Sequence, residues 1–247
     1  MPYSPVTYDA VGEPYARTRR ADPRIAKQIE RALRDAKTVV NIGAGAGSYE
    51  PATTVLAVEP SRVMAAQRPP SSAPVAIGQA EHLPLADNSV DAALAILTIH
   101  HWTNLAKGIA EMRRVARRSV ILTWDADITA QFWLHHYLPE AAARDRALEI
   151  PIAELRRLYG AIRLEVVPVP HDCTDGFLCA YWRRPAAYLD PIVRQNISSL
   201  ATLHQHSEGL TRLARDINTG HWATEHADLL ARDQLDLGYR LVIADHP

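Results

Sequence analysis

A doubly wound α/β fold built on a parallel sheet is predicted by three stretches of this sequence. The first is Val39-Val40-Asn41-Ile42-Gly43-Ala44-Gly45-Ala46-Gly47-Ser48, a β-branched run that breaks into alternate glycines. Glycine tolerates positive φ and has no Cβ to keep a ligand off the backbone, so such a run suits a sharp turn that brings a cofactor against bare main chain. The second is Val55-Leu56-Ala57-Val58-Glu59, a strand ending in a carboxylate where this fold places an acid on ribose hydroxyls. The third is Asp91-Ala92-Ala93-Leu94-Ala95-Ile96-Leu97, apolar without alternation, as a central parallel strand buried on both faces should be.

Composition bounds the function classes. A chain of 247 residues holds one full core with room for inserts, and reads as a single catalytic domain over 1–247. A net charge of −1 argues against a general nucleic-acid or membrane surface role. Cys173 and Cys179 do not make a disulfide framework, so a reducing cytoplasm is the expected location. No apolar run reaches spanning length, and no signal-peptide core stands at the N-terminus.

Taken in order, residues 1–21 mix aromatics with arginines and read as an N-terminal flap over a cofactor, with Tyr15 and Arg17 as its contacts. Asp22-Pro23 starts a helix, Asp as N-cap and Pro at the first helical position, with Ile25, Ile29, Ala32 and Leu33 on one face. Strand one is 38–42, and Gly43, Ala44, Gly45 and Gly47 form the turn after it. Pro51 leaves space for a turn at most before strand two. The dinucleotide fingerprint G-x-G-x-x-G/A would need a small third residue where Ser48 stands and a long helix after it, so a nicotinamide oxidoreductase is disfavoured.

The G-x-G-x-G spacing resembles motif I of the class I S-adenosylmethionine-dependent methyltransferases, whose cofactor carries no pyrophosphate. Two further stretches extend the resemblance, which covers residues 8 to about 125. Tyr8 to Arg19 resembles the "YDxxxxxYxxxR" start of the ubiquinone-biosynthesis-type (type 11) branch, and Gly78 to Asp91 resembles that branch's "GDAExLPFxDxSFD". The resemblance implies a seven-stranded Rossmann-like sheet of order 3-2-1-4-5-7-6, with S-adenosylmethionine as cofactor and S-adenosylhomocysteine as product. It places Asn41 near the cofactor's ammonium group, where the family usually has an acid. Glu59 falls on the ribose, Pro60 and Met64 on a short helix walling the adenine, Gln79 and the Ala80 backbone at the adenine edge, and Glu81 beside it or in a structural role. Gln79 replaces the usual aspartate but keeps an acceptor oxygen.

Strand four ends in Thr98-Ile99-His100-His101-Trp102, at the carboxyl edge where open sheets bind ligands. Thr98 is expected at the cofactor. Imidazole titrates near neutrality, so His100 or His101 is a candidate general base toward an acceptor hydroxyl or amine. Some sugar and small-molecule O-methyltransferases of the superfamily have a similar pair and an acid after strand five, which Asp125 matches. Asp127 is the better candidate for capping the next helix. Ile109 to Arg117 resembles the family's "LxExxRVLK" helix, and strand five follows over 119–123.

Residues 128–148 carry Phe132, Trp133, His135, His136, Tyr137 and Leu138, and read as part of a lid over the acceptor. A metal held by Asp125, Asp127, His135 and His136 is disfavoured, because adjacent helical residues point about 100° apart. Residues 151–159 form a helix and 163–169 strand six. His171 then stands beside Asp172 and Asp175, a second base with an orienting carboxylate. Residues 171–235 read as a helical insert (182–189, 191–203, 208–216 and 223–231) that joins the lid, before strand seven at 237–243. The expected activity is O- or N-methylation of an apolar or aromatic small molecule with a histidine base. The alternative is an S-adenosylmethionine-binding protein that does other chemistry or has lost turnover, which the departures at Asn41 and Gln79 would accommodate.

Overall fold

Val39–Ile42 (β1) is buried at all four positions and pairs in parallel with Thr54–Glu59 (β2) on one side and Val90–Ile96 (β4) on the other. The computed structural model describes residues 19–201 and 207–246, and Tyr15 and Arg17 lie outside them. Val75–Ile77 (β3) extends the sheet beyond β2, and Ala116–Trp124 (β5) pairs in parallel with β4. Tyr239–Asp245 (β9) lies antiparallel between β5 and Arg163–Val166 (β6). The order β3-β2-β1-β4-β5-β9-β6 is the expected 3-2-1-4-5-7-6 arrangement, with β9 as the seventh strand, two residues later than its sequence reading. Gly238, at φ +90°, makes the turn that displaces its start.

Two cores flank the sheet. Pro23–Leu33 (α1) starts as its sequence predicts, the Asp22 carboxylate accepting from Arg24 N at 3.0 Å, and buries Ile25, Ile29, Ala32 and Leu33. The other face is covered by Leu105–Val115 (α3) and Ile152–Tyr159, through Ile109, Met112 and Leu155. Arg62–Ala66 (α2) is capped by Ser61 and buries Met64. Between β1 and β2 there are turns only, as Pro51 requires. Tyr49 within them takes φ +60°, and its hydroxyl accepts from Asp22 N at 3.3 Å, which ties the glycine turn to the start of α1.

Differences from the sequence reading concentrate in the inserts. Strand six stops at Val166, and Val169–Pro170 (β7) pairs instead with Gln234–Leu235 (β8) in a separate ribbon. Residues 128–148 are not one helix. Ala126–Thr129, Leu134–Tyr137 and Pro139–Leu148 succeed one another, with Pro139 opening the third. The N-cap of the first is Asp125, which accepts from Asp127 N at 3.1 Å, rather than Asp127. The 182–189 helix is replaced by single turns at Leu178–Tyr181 and Pro185–Leu189. The 191–203 helix ends at Gln195, where Asn196 bonds back to Ile192 O at 2.8 Å and serines follow. The 223–231 helix is split into His221–Glu225 and Ala227–Leu230, while Glu208–Asn218 forms as expected.

The lid aromatics pack on one another. Trp133 Nε1 donates to Trp182 O at 2.8 Å, and its ring lies 5.1 Å from Trp222 and 5.6 Å from Tyr188. These rings belong to the same apolar core that α1 and the sheet bury on this face. Among the described residues no helix is long and apolar enough to cross a membrane.

Candidate active site

At the carboxyl ends of β1 and β4 the glycine turn borders a cleft of about 170 Å3. Gly43 N and Ala44 N both donate to Val58 O, at 2.8 and 3.2 Å, so the turn is folded against β2. Gly43, Gly45 and Gly47 all have positive φ (+65°, +52° and +91°). A Cβ on Gly43 would overlap the Thr98 side chain. Gly43→Ala combines that overlap with a strained φ and moves Thr98 in the cleft. It should destabilise the fold by about 1–3 kcal/mol and weaken binding of S-adenosylhomocysteine, as read by thermal melts with and without the ligand.

Glu59 is buried, with one carboxylate oxygen accepting from Gly45 N and the other from Ser61 N, each at 2.8 Å. Those bonds fix a carboxylate at the rim of the cleft. Asn41 Nδ2 donates to Glu50 at 3.1 Å, and Glu50 is itself held by Arg68 at 2.7 Å and by Ala73 N at 3.0 Å. Asn41 carries no charge of its own, and its amide is tied to the carboxylate of Glu50, nine residues further along the chain. Pro60, Met64, Gln79 and Ala80 also line the cleft. Glu81 lines it too, while its carboxylate accepts from the Thr103 hydroxyl and Asn104 N, both at 2.9 Å, at the start of α3. An acid poised for a diol, bare backbone for close approach, and an apolar wall at Met64 fit the shape and polarity of an S-adenosyl group.

The histidine pair occupies a single helical turn, Ile99–His101, after β4. Its rings lie 3.8 Å apart, yet they serve different cavities. His101 lines the cofactor cleft, whereas His100 lines a second cavity of about 60 Å3 between the sheet edge and the insert. Leu97, held at φ +49°, and Arg19 line both, so the two spaces adjoin. Burial holds His101 down at about 4 and drives His100 well below the usual imidazole range, helped by the neighbouring His101 and Arg19. Both rings are therefore neutral bases at physiological pH. Among the described residues His100 Nδ1 has no hydrogen-bond partner.

Asp125 and His171 line neither cavity. The Asp125 side chain caps the helix after β5, and His171 sits in the β7–β8 ribbon, its N–H donating to Asp233 O at 2.9 Å. Asp172 pairs with Arg24 at 2.7 Å, and Asp175, fully buried, pairs with Arg19 at 2.7 Å, so neither orients His171. Arg19 is a site residue the sequence reading passed over in favour of Arg17. The Tyr15-x-x-x-Arg19 spacing within the "YxxxR" pattern is the signal that marks it.

A family model described as a methyltransferase domain matches residues 40–123, the span from β1 to the end of β5. A crystal structure from Anabaena variabilis, whose name assigns it to the methyltransferases and to an antibiotic biosynthesis pathway, is 35% identical. It superposes with a TM-score of 0.84 over 92% of this chain and 98% of its own. The chain belongs to the S-adenosylmethionine-dependent methyltransferases. An uncharacterised methyltransferase of Mycobacterium tuberculosis is 35% identical over 121 residues, which is 44% of this chain and 48% of the relative, so the match spans about half of that protein's length. Haemonchus contortus phosphoethanolamine N-methyltransferase 2, solved with S-adenosyl-L-methionine, shares the fold at 13% identity. Its TM-score is 0.55, over 92% of this chain and 54% of that one. The cofactor of this methyltransferase is S-adenosylmethionine.

Proposed function

We propose that this methyltransferase transfers the methyl group to an oxygen or nitrogen of a small molecule, with His100 as general base. The reading is carried by the histidine pair, one ring in each of two adjoining cavities. The cofactor supplies an electrophilic methyl group on a sulfonium. The acceptor lone pair forms the new bond to that carbon as the sulfur–carbon bond breaks, its electron pair staying on sulfur, and the acceptor proton passes to His100. A neutral imidazole is needed for this, and the depressed titration of both rings keeps it neutral. The glycine turn, Glu59 and Asn41 hold the cofactor, Thr98 borders the transfer path, and the insert excludes water so that proximity supplies much of the rate. The pathway named for the Anabaena relative accords with a small-molecule acceptor.

The test is product analysis by mass spectrometry after incubation with S-adenosylmethionine and a panel of small hydroxyl and amine compounds. S-adenosylhomocysteine and a methylated acceptor in equal amounts are expected. Methylthioadenosine instead would favour other chemistry of the same cofactor, and tight cofactor binding without any product would favour a binding protein. Because His100 and His101 titrate low, kcat should stay flat from pH 8 down past the ordinary imidazole value of 6.5, falling only as the ring finally protonates. An acid limb centred at 6.5 would contradict the assignment.

A further inference from the structure

Four polar groups belong to residues lining the small second cavity, and three of them have no partner among the described residues. His100 Nδ1, Trp124 Nε1 and the Asn196 side-chain oxygen are buried without a hydrogen bond, and only burial and the like charge of Glu149 act on the Asp145 carboxyl, which lines the same wall. Buried polar groups are almost always satisfied, so a cluster of unsatisfied ones around one space marks a place where a ligand supplies the missing partners. Three of the four residues are more than nine-tenths buried: Trp124, Asn196 and Asp145 stand at 7%, 2% and 9% exposure.

The chemistry of the four sorts into two pairs. The His100 and Trp124 rings lie 4.8 Å apart. An indole N–H only donates, and a neutral imidazole nitrogen without a proton only accepts. Side by side they complement a group that accepts one hydrogen bond and donates another, which is a hydroxyl. Asp145 and the Asn196 oxygen are both acceptors and complement a group that only donates, and a carboxylate adds a preference for positive charge. The remaining wall is apolar, at Leu97, Leu148, Phe177, Leu178 and Ile197. The charged and titratable groups near Asp145 are Glu149, Cys179 and Tyr239, and Arg19, which lines the same cavity, is already engaged by Asp175.

We propose that this cavity is the acceptor subsite and takes a small amino alcohol, its ammonium held by Asp145 and Asn196 and its hydroxyl between Trp124 and His100. This rests on the methyl-transfer reading above and deepens it. It makes Asp145 the residue that selects the acceptor, and the hydroxyl oxygen, facing the base, the atom that is methylated. Without ligand, burial and the neighbouring Glu149 push the Asp145 carboxyl up to about 7. An ammonium partner favours the ionised form, so binding of the amine draws a proton off Asp145 and weakens as pH falls below 7.

The test is titration of 3-aminopropan-1-ol and of its uncharged isostere butan-1-ol into the S-adenosylhomocysteine complex, followed by ligand-observed NMR at pH 8.5 and 5.5. At pH 8.5 the amine should bind about tenfold or more tightly than the alcohol, the range of a charge-assisted hydrogen bond. That preference should shrink at pH 5.5, a comparison that needs no variant. Asp145→Asn should abolish it at pH 8.5 while leaving S-adenosylhomocysteine binding unchanged. Equal binding of the two probes, or a preference that survives in Asp145→Asn, would overturn the proposal. Failure of the methyl-transfer reading looks different: the amine would still bind through Asp145, and no methylated product would form.

Discussion

His100→Ala should lower kcat by about 10²–10⁴-fold, the usual contribution of a positioned general base, and leave the dissociation constant of S-adenosylhomocysteine within about twofold of wild type. The separation follows from the geometry: His100 lines the second cavity and is absent from the cofactor cleft, which His101 borders. His101→Ala should therefore touch both quantities, weakening cofactor binding and opening the wall between the cavities. A purely structural role for His100 predicts a different pattern, with a lowered melting temperature and kcat loss that Asn or Gln restores by refilling the space. Measuring kcat, Kd and melting temperature on the same variants separates the two. Nearly full activity in a folded His100→Ala protein would remove His100 from the mechanism.

The second large effect belongs to Glu59. Replacing it with alanine removes the acceptor for the ribose diol and also the acceptor that holds Gly45 N and Ser61 N, each at 2.8 Å. Charge-assisted hydrogen bonds contribute about 1.5–3 kcal/mol apiece, so S-adenosylhomocysteine should bind at least about 30-fold more weakly. Glu59→Gln keeps one oxygen and should fall between the two. Calorimetric titration reads both, with NADH as a control that should give no heat in any variant. Unchanged affinity in Glu59→Ala would mean that the nucleoside lies elsewhere.

How far these residues could be found without the structure depends on whether local patterning or tertiary packing sets them. The sheet was legible because its strands sit beside covalent constraints: three glycines after β1, a proline before β2, and an unalternating apolar run at β4. Glu59, Met64, Gln79 and the histidine pair inherit their positions from those strand ends, and all of them border the two cavities. The inserts were not legible in the same way. Their helices are mostly four or five residues long and are held by contacts such as Trp133 on Trp182, which no periodicity announces. Asp125 illustrates the limit: its place after strand five suggested chemistry, and its side chain is used to cap a helix. Asp145 illustrates the converse, since among Glu140, Arg144 and Arg146 it reads as one charge on a solvated helix, and only the tertiary fold puts it in a cavity wall with Tyr239.

The most direct test of the two-cavity account is a crystal structure of the complex with S-adenosylhomocysteine. The account predicts the ribose hydroxyls on Glu59, the adenine against Met64 and Gln79, and the thioether sulfur beside His101 and Thr98, directed past Leu97 toward His100. A sulfur directed away from that opening, with no open path to His100, would contradict it.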